Sequence, residues 1–449
     1  MSNDAAEMDH GPGLPTPSTH SDDREKGQML RVKPQGESGR SGVHPWHFIR
    51  ISFKSACKAS TLCSVLWPVV PAALAVRYAL SNHHILIFVL SYIAIVPCAS
   101  LIGFASQEFA RKVPHVAGII VDATCGSVVE LVLFLVFLQS DNPNNFYIIK
   151  AAIMGSILAT MLLCLGVVFL AGGLKREEQT FSDAISEAGS GLLLMAGVVL
   201  SVPTVFRQGL AGMGIPTDQL ESATLHISHI ISVLLIIAYL IYTYFQARTH
   251  HGIYDAIFED DEQREASSRR KPNAEDMLTM TECLIALAIS ISLVTLLTIG
   301  LVGQIEHVIE DTHVSDAFMG LILVPLVEKF AEHITAVDEA RGDRMNFALS
   351  HVLGSTLQTA LFTAPLTVVV GWALQKPMDL IFDIFPVVML ILSILTVGKV
   401  LQDQKSNYLE GMLLLILYLS IAVSAFYYPF TGPVHGKAGG EAGGEPHRA

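Results

Sequence analysis

The chain has 449 residues, of which 51% are hydrophobic and only 15% charged, whereas soluble domains carry about 25% charged residues. That balance excludes a soluble enzyme and gives an all-α polytopic membrane protein embedded in a lipid bilayer. The net charge of −13 sits largely in tails and loops and gives no reason to expect a nucleic-acid partner.

Residues 1–50 form a polar cytosolic tail whose Gly, Ser, Pro, Asp and Lys content reads as disorder. The first apolar run begins only after that tail, so no cleavable signal peptide is expected. Windows of about 20 residues then give eleven spans, near 60–80, 85–107, 116–138, 147–171, 189–206, 225–247, 282–303, 316–340, 346–372, 379–400 and 407–430. The fifth is the weakest, because Gly189, Gly191, Gly197 and Pro203 interrupt it. A polar acidic linker over 248–281 joins spans six and seven; its Glu259-Asp260-Asp261-Glu262 run reads as solvated chain rather than a cation sensor. A Gly-rich tail covers 431–449. The six cysteines lack ligand or disulfide spacing and act as small apolar residues.

Positive charges fall in alternate connections: the N-terminal tail, Arg111-Lys112, Lys175-Arg176, Arg264 to Lys271, Arg341 with Arg344, and Lys399 with Lys405. The connections between them carry none, apart from Arg207 and Lys376. The positive-inside rule therefore places the N-terminus in the cytosol and the C-terminus on the far side.

Within these spans one frame occurs twice. Val121 to Leu131 (VDATCGSVVEL) leads to Gly155-Ser156-Ile157-Leu158-Ala159-Thr160, and Leu323 to His333 (LVPLVEKFAEH) leads to Gly354-Ser355-Thr356-Leu357-Gln358-Thr359. Each copy sets a carboxylate, Glu130 or Glu332, in an apolar helix. Such a group costs about 2.5–3.5 kcal/mol or more and marks an ion or proton path. The copies lie on the third and eighth spans, and an offset of five spans inverts one half against the other. The reading is therefore two inverted five-helix repeats, 85–247 and 282–430, plus one extra N-terminal helix at 60–80. Glu130 and Glu332 approach the midplane from opposite sides, as in secondary transporters.

A hard cation needs oxygen ligands, and two carboxylates could neutralise a divalent ion or each take a proton when it leaves. Gly126 and Ser127 precede Glu130 by a turn, where backbone could unwind. Ser156, Thr160, Ser355, Gln358 and Thr359 offer further oxygens, though such hydroxyls equally glue membrane helices together. Glu108 and Glu306, near the ends of spans two and seven, and His333 are entrance or regulatory candidates. His226 and His229 read as a polar start to span six, since no third metal ligand is evident. No nucleophile–base set or phosphate cradle appears, so no enzyme and no cofactor are expected. A homo-oligomer is left open.

Four further stretches carry a family likeness: Phe104-Ala105-Ser106-Gln107-Glu108, Leu170 to Lys175 (LAGGLK), Ala331 to Val337 (AEHITAV) and Leu401 to Asn407 (LQDQKSN). From about Leu66 to Pro429 the chain resembles the vacuolar calcium/proton exchangers, particularly fungal members. The resemblance implies calcium–proton antiport at the vacuolar membrane, with Glu130 and Glu332 as the shared calcium and proton site. The family's repeats read G-N-A-x-E, with the asparagine amide helping to bind the ion. Here Ser127 stands in place of the first asparagine, Glu328 in place of the second glycine and Lys329 in place of the second asparagine. A lysine about 6 Å from a divalent ion repels it by about 5 kcal/mol at an effective dielectric of about 20. Lys329 therefore pairs with Glu328 or Glu332, loses its charge, or points away. The alternative reading is a divergent paralogue that carries another cation, or a regulatory member that carries none.

Overall fold

The computed structural model describes residues 63–113, 124–140, 144–211, 213–250, 278–312 and 314–428, with isolated positions between them. Asp122, the linker acids 259–262, most of the N-terminal tail and the Gly-rich tail lie outside the described residues. Two helices, α1 (Val69–Ala79) and α3 (Val128–Gln139), are short and apolar. Eight described helices are long and apolar enough to cross a membrane. They are α2 (His84–Ala110), α4 (Asn144–Gly173), α5 (Asp183–Leu210), α6 (Thr217–Thr249), α7 (Met280–Val302), α9 (Met345–Ala373), α10 (Ile384–Asp403) and α11 (Tyr408–Phe426). A further helix, α8 (316–341), carries Glu328, Lys329 and Glu332, and the short helix Ile305–Thr312 precedes it. Among the described residues, every expected span falls on a helix. This is an all-α polytopic membrane protein.

Local chemistry sets the helix starts. A capping box opens α7: Thr279 accepts from the Glu282 backbone N–H, and the Glu282 side chain accepts in return. The Asn407 side chain caps α11 by accepting from Leu409 and Glu410, and Ser315 caps α8 by accepting from Phe318. The start of α7 also holds part of the tail expected to be disordered. Thr279 Oγ1 donates to Gly42 O at 2.8 Å, and His44 N donates to Glu282 Oε1 at 2.9 Å. Ile51 is buried with Leu278 and Cys283, with Phe48 beside them.

The packing partners reveal the duplication. Helix α2 packs along α7. The α3–α7 contact is mirrored by α8 on α2, α4–α11 by α9 on α6, and α5–α9 by α10 on α4. Exchanging each helix for the one whose number differs by five turns one member of each pair into the other. α1 lies outside this scheme, against α2 and α7. Helices α4 and α9 also share a defect, a π-helical turn at Ala159–Cys164, directly after the first G-S-x-L segment, and at Thr359–Thr363, one residue beyond the second. Such turns often sit at functional sites.

The fifth span is one unbroken 28-residue helix, not the interrupted segment its glycines suggest. A Cβ at Gly189 would lie 2.6 Å from Leu353 Cδ1, and one at Gly197 would collide with Ile394. The glycines admit neighbouring helices, which membrane packing favours. On the loop side of α4 and α10, Gln179–Thr180 (β1) pairs antiparallel with Lys405–Ser406 (β2), tying the two connections together.

Candidate functional site

The third span breaks where Gly126 and Ser127, both weaker helix formers than alanine, meet. Ser127 sits in a turn (φ −91°, ψ 4°) between helical residues 124–126 and α3. Gln358 of α9 fixes the break by donating from Nε2 to Ser127 Oγ at 2.7 Å. Glu130 consequently lies in the first turn of α3, where the partial positive charge of a helix N-terminus favours a carboxylate. In α8 a π-helical turn, Met319–Leu323, precedes Pro325. Glu328, Lys329 and Glu332 follow on successive turns of the same helix.

These residues meet at one buried point. The Lys329 ammonium lies 3.0 Å from Glu130 Oε2 and 3.6 Å from Glu332 Oε2, bridging the motif carboxylates of both repeats. Lys329 is 2% exposed and Glu130 1%, so neither charge is met by water. Ser355 Oγ donates to Glu332 Oε2 at 2.5 Å, and Lys329 Nζ lies 3.5 Å from that hydroxyl. Thr359 Oγ1 donates to Glu130 Oε2 at 3.1 Å. Glu328, also buried, accepts from the Ser156 hydroxyl of α4. A Cβ on Gly126 would stand 3.6 Å from Glu332 Oε1, so the backbone there approaches the second carboxylate closely.

The pairing of Lys329 differs from the local spacing. An i,i+3 partner in Glu332 is present, but the shortest ion pair crosses to Glu130 in the other repeat, and Glu328 turns to Ser156 instead. His333, half-buried, reaches Thr160 of α4 (Nε2···Oγ1 3.5 Å) inside the array rather than at a mouth. Glu108 is 5% exposed and held by Arg111 (3.2 Å) and Lys112 (3.3 Å), apart from the central cluster. Glu306 accepts from Asn142 Nδ2 at 3.0 Å and lines a cleft with Asn145, Glu310 and Asp316. His229 stacks on Trp372 at 4.7 Å and meets His226 edge-on. Among the described residues no group of three His, Cys, Asp or Glu side chains is placed to hold a metal ion.

Three further residues complete the arrangement, of which Thr359 was among the expected oxygen donors. Thr359, the last residue of the second G-S-x-L-x-T, is the direct hydroxyl partner of Glu130. Tyr92 of α2 donates to Leu323 O at 2.8 Å and so anchors the π-helical turn of α8. Gly155 allows α4 to touch α8: a Cβ there would collide with the Leu321 carbonyl and stand 2.6 Å from Pro325 Cγ. Thr359 and Gly155 carried a signal in one sequence, through the repeat, whereas Tyr92 carried none.

Two buried carboxylates, a third that is partly exposed, one ammonium, four hydroxyls and an amide, drawn from both halves of a membrane protein, form a set that can bind small cations and protons. A family of sodium/calcium exchanger proteins matches residues 83–248 and 283–427, the two halves of the helical array. The chain belongs to this family. Curated relatives include a vacuolar calcium ion transporter of Schizosaccharomyces pombe, 31% identical over 76% of this chain and 79% of that protein. A Ca2+/H+ antiporter of Aphanothece halophytica is 33% identical over 76% of this chain and 90% of that protein. Among solved structures, native YfkE aligns with a TM-score of 0.67 and 26% identity, covering 81% of this chain and 99% of that one. A second structure of YfkE describes it as a Ca2+/H+ antiporter.

Proposed function

We propose that this exchanger-family member is a secondary active antiporter that moves calcium against protons across the vacuolar membrane, with Glu130 and Glu332 taking up cation and protons in turn. The observation that carries the reading is the meeting of both motif glutamates on one buried point, Lys329 Nζ, from opposite repeats. The relatives that are calcium transporters and Ca2+/H+ antiporters supply the ion pair. Ser127, Ser156, Thr160, Ser355, Gln358 and Thr359 orient the carboxylates or offer oxygens to the ion. The repeats run over 85–247 and 282–430, and the N-terminus faces the cytosol.

Protons from an acidic lumen would neutralise the carboxylates and release the cation there; on the cytosolic side the order reverses. Nothing covalent happens, so the residues need only bind the two cargoes exclusively. The single observation for the alternative, a member that carries another cation or none, is the ammonium lodged between the two glutamates.

Uptake of labelled calcium into acid-loaded vesicles tests the proposal. Wild type should take up calcium, the uptake should stop when the proton gradient is collapsed, and Glu332→Gln should abolish it. Uptake no greater than in empty vesicles, or uptake undiminished in Glu332→Gln, would overturn it.

A further inference from the structure

Burial across the central cluster is uneven. The Glu130 side chain is 1% exposed and that of Lys329 3%, but Glu332 is 18% exposed. Exposure continues from Glu332 along the seam between α8 and α9, with the Glu339 side chain at 13% and His351 at 25%. The seam runs toward Arg341 and Arg344, the basic end that the positive-inside rule turns to the cytosol.

Two contacts join the helices along this seam. Ser355 Oγ donates to Glu332 Oε2 at 2.5 Å, and His351 Nδ1 lies 3.8 Å from Glu339 Oε2. His351 and Ser355 are four residues apart, on one face of α9 and about 6 Å apart along its axis. Glu339 follows Glu332 by two turns on the same face of α8. The Glu339–His351 pair therefore stands one turn beyond Glu332 on the way out, across a gap that a bridging water spans. The titratable and charged groups around the pair are His333, Asp338 and Arg341 on α8, Arg344 at the start of α9, and the buried Cys164 on the π-helical turn of α4. Helix α5 meets α9 through Ser182 and Gly189, with Asp183 and Glu187 exposed.

The first repeat has no such route. Counted from the motif glutamate, Phe137 stands where Glu339 does; counted from the G-S-x-L segment, Ala152 stands where His351 does. Both are fully buried. The repeats thus share the ion site, but only the second opens it to water beside an acid and an imidazole.

We propose that Glu339 and His351 form a proton-transfer station on the cytosolic side, taking the proton that Glu332 gives up when calcium enters. This rests on the antiporter reading above and adds the way out for its protons. The carboxylic proton of Glu332 moves through the bridging water to His351 Nε2, because Nδ1 faces Glu339. The Glu339 carboxylate holds the imidazolium so formed. The ring then gives its proton to solvent water and returns to the neutral form.

The test separates proton-coupled transport from calcium binding. Vesicles with the basic face outward and an acidic interior report calcium–proton exchange. The same vesicles at equal pH, loaded with unlabelled calcium, report exchange of labelled for unlabelled calcium, in which no net proton moves. His351→Gln should slow calcium–proton exchange at least about fivefold, while its calcium KM and its calcium–calcium exchange stay within about twofold of wild type. Glu339→Gln should show the same split, and adding it to His351→Gln should deepen the loss by less than about twofold. Equal losses in both modes would make the pair a structural contact and overturn the proposal, as would undiminished calcium–proton exchange in His351→Gln. Should His351→Gln not fold, Glu339→Gln decides by the same criteria. Both of these outcomes leave the antiporter reading standing, whereas a wild type that moves no calcium would overturn that reading too.

Discussion

Substituting Gly155 by alanine adds one methyl group at the closest approach of α4 to α8. The new Cβ would stand 2.6 Å from Pro325 Cγ and 2.7 Å from the Leu321 carbonyl carbon. Non-bonded carbon atoms rest about 3.5–4.0 Å apart, so the helices must separate by about 1 Å. Backbone and a proline ring line the contact, and neither can rotate away. Overpacking of this kind costs about 1–3 kcal/mol. The functional cost is larger, because Ser156 is the next residue and donates to Glu328 on the helix that must retreat. A displacement of about 1 Å in a binding constellation can cost about 100-fold. Gly411→Ala is the control: its Cβ would lie 2.5 Å from Leu170 N and 2.6 Å from Gly166 O, equally tight but against the far half of α4. Melting of the purified protein and calcium uptake per folded molecule separate the effects. Both variants should lose a similar amount of stability, but only Gly155→Ala should lose uptake per folded molecule by tenfold or more, about half the limit on a logarithmic scale. Equal loss of specific uptake in the two would refute the claim that the α4–α8 contact sets the site.

Thr359→Val keeps the side-chain shape and deletes the donor to Glu130 Oε2. A hydrogen bond to a charged group is worth about 1.5–3 kcal/mol, so the KM for calcium in vesicle uptake should rise about tenfold or more, and an unchanged KM would remove Thr359 from the site. Lys405 hydrogen-bonds Glu178 at 2.8 Å, and that contact holds its proton above the ordinary lysine range. A raised lysine contributes stability below its unfolded value and loses it only as pH climbs through the folded one. Lys405 is exposed, so Lys405→Ala should leave the melting temperature unshifted at both about pH 5.5 and about pH 7.5. A shift that differs between those two values would contradict this account.

The span pattern was legible because an apolar run of about 20 residues has few other uses. The duplication was legible because G-S-x-L-x-T recurs with its glutamate upstream, and the break at Ser127 falls where Gly126 and Ser127 suggested it. The fifth helix was misread for a physical reason: glycine weakens a helix in water but admits close neighbours in a membrane. The partner of Lys329 was hidden for a different one. Sequence spacing favours the i,i+3 neighbour, Glu332, whereas the 3.0 Å contact to Glu130 exists only because α3 and α8 converge. The Ser156–Glu328 bond between α4 and α8 has no local signal either.

The π-helical turns in α4 and α9 have a consequence for how these helices are built. Removing one residue from Ala159–Cys164 would turn everything beyond it by about 100° and draw it in by about 1.5 Å. Gly166 would then leave the α11 backbone at Gly411, which a Cβ would meet at 3.0 Å. With the turn in place, the Ser156 half can face the glutamates while the Gly166 half independently faces α11. Each long helix thus behaves as two rods joined at a chosen angle of rotation, one aimed by the ion site and the other by the scaffold. Because both repeats carry the joint, the separation of aim belongs to the unit that was doubled.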